Sequence, residues 1–113
     1  SLTRARPRLT RPNEMDSRLL KLRSETYAAA AFHRAASEYF TALRDGNAAD
    51  DNAPVVTALE EAAAVYANAL DDLLAYLNTL EQTPAVSEEL QRTERIRELL
   101  RRESQLMSRA MSD

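Results

Sequence analysis

The sequence predicts an all-α fold, either an up-down-up antiparallel three-helix bundle or a helical hairpin with a third packed helix. Coiled-coil-like seams are expected to hold it together. Three observations carry this reading. The 113 residues include one Gly and no Cys, too few turn-formers for repeated strand reversals and no thiols for a disulfide framework. Ala, Leu, Glu and Arg are abundant while aromatic residues make up 5%, a helix-rich composition. Apolar residues also recur at steps of three and four through three long segments, the period of a helix face.

Each element follows in order. Pro12-Asn13 ahead of Glu14 and Asp16 predicts a first helix over 14–44, since Asn caps free N–H groups and early acids suit the helix dipole. A 3–4 spacing then runs through Leu19, Leu22, Thr26, Ala29, His33, Ala36, Phe40 and Leu43. Asp45-Gly46 ends it, with the single Gly where a left-handed cap is favoured. Residues 45–53 read as a loop of acids and turn-formers.

The second helix is predicted over 53–82, with a seam of Val56, Leu59, Ala63, Tyr66, Leu70, Leu73, Leu77 and Leu80. This unbroken alternation is the signature of packing along a near-parallel neighbour. Pro84 is expected to end it by disfavouring helix at Thr83. Ser87, Glu88 and Glu89 are expected to open the third helix, 87–111. Its apolar positions are Leu90, Ile96, Leu99, Leu100, Leu106, Met107 and Ala110, and Glu103 reads as a register-setting contact toward an Arg of the first helix. Residues 14–113 thus make a single helical domain, and 1–13 a flexible Arg-rich arm. The chain opens on Ser1 and Met15 offers an alternative start; if the native chain starts there, part of the arm is foreign to it.

The formal charge of −3 hides a strong segregation. Residues 1–13 carry Arg4, Arg6, Arg8 and Arg11 and no acid. Residues 45–83 carry Asp45, Asp50, Asp51, Glu60, Glu61, Asp71, Asp72 and Glu81 and no base. The third helix balances its own charges, with Glu88–Arg92 and Glu98–Arg102 at the favourable i,i+4 spacing. The acids of the second helix must meet water, arginines of its neighbours, or a basic partner.

Chemistry is poorly provided for. One His excludes a multi-histidine metal centre, and the acidic loop lacks Gly at the sixth position that an EF-hand needs. His33 reads as a histidine at the edge of the core, without the acid–nucleophile set that general-base catalysis requires. Glu60-Glu61 and Asp71-Asp72 are sequence neighbours and diverge by about 100° around the helix, so neither forms a carboxylate dyad. No catalytic residue, metal site, cofactor or small-molecule substrate is expected, and the protein is read as non-enzymatic. No segment is long and apolar enough to span a membrane, and no signal peptide is evident, so a soluble intracellular protein is expected.

The feature that points to function is a second apolar stripe on the second helix. Val55, Ala58, Ala62, Val65, Ala69 and Tyr76 recur at 3–4 spacing, broken by Asp72 and bordered by Glu61. A helix apolar over much of its circumference is buried on several sides. Either it lies between the other two helices, or part of this stripe receives a partner. The sequence therefore predicts a protein–protein interaction and assembly module. It would pack laterally against partner helices or a second copy through Ala58, Ala62, Val65, Ala69, Tyr76, Glu61 and Asp72. The alternative is a helical export or assembly chaperone holding an amphipathic client segment. Nucleic-acid binding through the arm is disfavoured by the acidic body and by the lack of aromatic residues among the arginines.

Overall fold

Pro84 begins a helix rather than merely ending one. In a computed structural model, which describes residues 16–46 and 53–112, the chain forms α1 (Asp16–Asp45), α2 (Ala53–Thr79) and α3 (Pro84–Ser112). The arm with Arg4, Arg6, Arg8 and Arg11, and most of the expected 45–53 loop, lie outside the described residues. Among the described residues there is no strand, and the fold is the all-α, three-helix architecture expected. No helix among them is long and apolar enough to cross a membrane.

The α2–α3 junction corrects two predicted boundaries. Proline lacks an N–H, and the first helical position needs none, so Pro84 fits there. The Thr83 hydroxyl accepts the Val86 N–H at 3.3 Å, and the Thr83 carbonyl accepts the Ser87 N–H at 2.9 Å. Thr83 is therefore the N-cap, and Ser87 lies inside the first turn. α2 stops at Thr79, three residues before the expected end. The Gln82 side-chain amide closes this end, donating to Leu77 O of α2 at 3.1 Å and to Leu80 O of the link at 3.0 Å. Gly46 also departs from expectation. It continues the α-helical bonding, its N–H reaching Ala42 O at 3.0 Å, and it does not take the left-handed conformation.

α2 lies at the centre and packs along both α1 and α3, while no α1 Cα comes within 8 Å of an α3 Cα among the described residues. The main core sits where α1 begins and α2 turns into α3. Leu19 and Leu22 of α1 meet Leu73, Leu77, Leu80 and Val86 there, with Tyr76 and Leu90 against the edge. Leu77 and Leu80 are fully buried. Leu80 lies in the link between helices, so the turn itself supplies core.

The α3 seam differs from the one read from apolar residues alone. Its inward positions are Val86, Leu90, Thr93, Arg97 and Leu100, all buried or half-buried. Leu99 and Leu106 are 58% and 64% exposed, and Ile96 is exposed too. Thr93 tolerates burial because its hydroxyl donates to Glu89 O at 2.7 Å. Arg97 lays its stem along α2 and keeps its charged end at the rim, where it bonds Asp71 at 2.8 Å.

Candidate interaction surface

The seven α2 residues of the expected partner surface occupy two environments. Ala62 is fully buried. Ala69 and Tyr76 are half-buried against α1. The Thr26 hydroxyl of α1 bonds Leu22 O at 2.8 Å and approaches Ala69 O at 3.4 Å. The Arg18 guanidinium stands 5.5 Å from the centre of the Tyr76 ring. Ala69 and Tyr76 thus already serve the α1 contact. Ala58, Glu61, Val65 and Asp72 are exposed.

α3 does not cover this second stripe. It packs on the other flank of α2, where it shares a groove with Ala63, Ala64 and Ala67 and where Arg97 holds Asp71. The stripe's Val65, Ala69 and Tyr76, with Asp72, line instead a groove between α1 and α2 to which α3 contributes no residue. Starting where α1 begins, the groove is lined by Arg18, Lys21, Tyr76 and Thr79. It passes Leu22, Glu25 and Asp72 and ends among Ala28, Phe32, Val65 and Asn68.

Phe32 and Val65 form its apolar end, 56% and 53% exposed, beside Ala28, Ala29 and Ala69. Small side chains let another backbone approach closely, while the phenyl and isopropyl groups offer apolar area to cover. Phe32 is the residue that reading α2 alone missed. The signal was present as Glu25, Ala28, Phe32, Ala35 and Tyr39, a second 3–4 row on α1 beside its main seam.

Charge distinguishes the two sides of α2. Asp71 and Asp72 diverge around the helix, and only Asp71 meets α3. Glu25 and Asp72, which line the α1–α2 groove, and Glu61, exposed on α2, make no ion pair with any described residue. The α2–α3 groove has a volume of about 650 Å³ and is edged by Arg97, Arg101 and Arg109. His33 reaches into it from α1. Its ring lies 5.7 Å from that of Tyr66, tilted by 44°, and its Nε2 is 3.7 Å from Glu103 Oε1. Glu103 thus does contact α1, through His33 rather than through an Arg. Burial pushes the Tyr66 hydroxyl pKa up, partly offset by the nearby Arg34 charge.

On α3, Glu98 bonds Arg101 at 2.9 Å and Arg102 at 3.4 Å, whereas Glu88 and Arg92 do not come within ion-pair distance. Among the described residues no three His, Cys, Asp or Glu side chains gather closely enough to hold a metal ion. No protein-family model matches the chain, and neither the curated proteins nor the solved structures yield a match.

Proposed function

We propose that this chain is a non-enzymatic helical interaction and assembly module whose docking face is the α1–α2 groove. One observation carries the reading. Phe32 and Val65 stand more than half exposed and line one groove with Ala28, Ala29 and Ala69, which no other element covers among the described residues. Covering two such side chains is favourable at roughly 25 cal/mol per Å² of apolar area, and the alanines beside them allow a helix to lie close. The partner is a helix, from another protein or a second copy, laid along the groove within the cell. Glu25 and Asp72 in its lining bear on orientation and partner choice more than on affinity.

Photo-crosslinking in the native cell tests this directly, with a benzophenone amino acid placed at Phe32, at Val65 and, as a control, at Arg101 beside the α2–α3 groove. Discrete adducts from 32 and 65 and none from 101 are expected. Light scattering on the purified chain then separates a second copy from another protein. A monomer that gives no adduct at either groove position would overturn the proposal.

A further inference from the structure

We propose that the helix that fills the α1–α2 groove is α3 of a second copy of this chain, docked through an outer row of arginines and leucines. On α3, Glu88, Arg92, Arg95, Leu99, Arg102 and Leu106 follow one another at steps of four and three. All six are exposed, on a different side of the helix from Val86, Thr93 and Leu100, which are buried. Leu99 and Leu106 are both more than half exposed, apolar area that the chain itself leaves uncovered. Arg92 and Arg95, beside them, make no ion pair with any described residue.

The row on α1 beside the groove keeps the same steps: Lys21, Glu25, Ala28, Phe32, Ala35 and Tyr39. Equal steps let two parallel helices stay in contact along their length. With Leu99 of the copy set between Phe32 and Val65, its Glu88 meets Lys21 and its Arg92 meets Glu25 and Asp72. Its Leu106 then meets Tyr39, itself 60% exposed. Arg95 and Arg102 fall opposite Ala28 and Ala35, where small side chains leave room for their stems. Other alignments fail. Sliding the copy one heptad one way sets Arg95 on Lys21 and Leu99 on Glu25, and the other way sets Arg92 on Phe32. Reversing its direction sets Leu106 on Glu25 and Arg92 on Tyr39. One register alone satisfies both charges and both apolar positions.

The charges fix the register and the apolar side chains supply the affinity. Lys21, Glu25, Asp72 and Glu88 make no ion pair with any described residue, so docking breaks no ion pair that these groups make among those residues. The groove between α2 and α3 is edged by Arg97, Arg101 and Arg109 and repels the arginine row. The groove and the row are different surfaces of one chain, so the contact is heterologous. Each docked copy still offers a free groove or a free row, and assembly continues into a chain or a ring. This inference rests on the reading of the α1–α2 groove as a docking face and names its occupant.

Sedimentation velocity on the full chain and two full-length variants tests this. Phe32→Lys blocks the groove and leaves the α3 row intact, while Leu99→Lys blocks the row and leaves the groove intact. The wild type is expected to grow past a dimer as its concentration rises. Each variant alone is expected to remain a monomer, and their equimolar mixture to stop at a 1:1 dimer, because one intact groove then meets one intact row. A wild type that stays monomeric or stops at a dimer would overturn the proposal. So would a variant that assembles like the wild type, or a mixture that forms no dimer. Where circular dichroism shows that either lysine unfolds the chain, Glu25→Arg and Arg92→Glu carry the test: each alone weakens assembly, and both in one chain restore it. Failure of that restoration also counts against the register. Crosslinking separates the two readings. Adducts from Phe32 and Val65 to another protein, with a monomeric wild type, sink the copy–copy contact and leave the docking face standing; a monomer with no adducts sinks both.

Discussion

Arg23 of α1 donates to both carboxylate oxygens of Glu89 on α3, from Nε at 2.8 Å and from Nη2, across two helices whose backbones nowhere come close. Only side chains join α1 to α3 here, and the Glu89 carboxylate is 12% exposed while Arg23 is 47% exposed. The pair is thus unequal, with a nearly covered acid held by a guanidinium at the rim.

Arg23→Ala is therefore expected to cost about 1–2 kcal/mol, more than an ordinary surface pair, because it strands a poorly hydrated carboxylate. Adding Glu89→Gln to that variant should recover part of the loss. Urea unfolding followed by circular dichroism checks both, and equal stability of the single and double variants would count against this account.

Leu77 and Leu99 both look like seam leucines in the sequence, and they should behave very differently. Leu77 is fully buried among Leu19, Leu22, Leu73, Leu80 and Val86, so Leu77→Ala should cost about 3 kcal/mol through lost burial and a residual cavity. Leu99→Ala, at a site 58% exposed, should change stability by less than about 0.5 kcal/mol. Comparing the two melting curves decides which stripe of α3 faces α2.

Thr83→Ala should cost about 1 kcal/mol by removing the cap on the Val86 N–H. Ser87→Ala, inside the first turn, should be close to neutral. The opposite ranking in chemical denaturation would return the start of α3 to Ser87.

Glu98 is held at a pKa of about 2, against an ordinary 4.5, first by its hydrogen bonds from Arg101 and then by the Arg101 and Arg102 charges. Its folded-state value is depressed, so its contribution is complete above the ordinary carboxylate range. It is lost as pH falls from about 4.5 toward about 2. Carboxyl-carbon NMR should place the Glu98 midpoint well below those of the other glutamates, and Arg101→Gln should raise it toward the ordinary value.

Much of this architecture is legible in the residues. The heptad run from Leu59 to Leu80 marks α2 as the helix with a continuous buried face, and the same leucines form the core. The i,i+4 pair Glu98–Arg102 forms where spacing places it. The start of α3 was misread because two signals compete: Ser-Glu-Glu is an attractive helix opening, yet Thr83-Pro84 offers both a capping hydroxyl and a first residue that needs no N–H. The inward face of α3 was misread for a related reason. Apolar residues were assigned to the seam, whereas the seam accepts Thr93, which satisfies its hydroxyl locally, and the stem of Arg97.

The candidate surface divides in the same way. The second stripe on α2 and its acids are plain in the sequence. That Ala62 is buried and Ala69 and Tyr76 meet α1 while Val65 stays open is not, because periodicity reports how many sides of a helix are apolar and not which neighbour stands beside each. Phe32 acquires its place only when α1 is laid against α2. Helical class and helix number are determined by the sequence alone, since they follow from local propensity and the 3–4 period, whereas the central place of α2 was one of two readings until its packing on both α1 and α3 was seen. Which flank α3 covers, which carboxylates go unpaired and where an open groove remains were decided by the tertiary structure. The reason is physical: each depends on the side of α2 to which the short Leu80–Thr83 link returns the chain, and no periodic pattern encodes that choice.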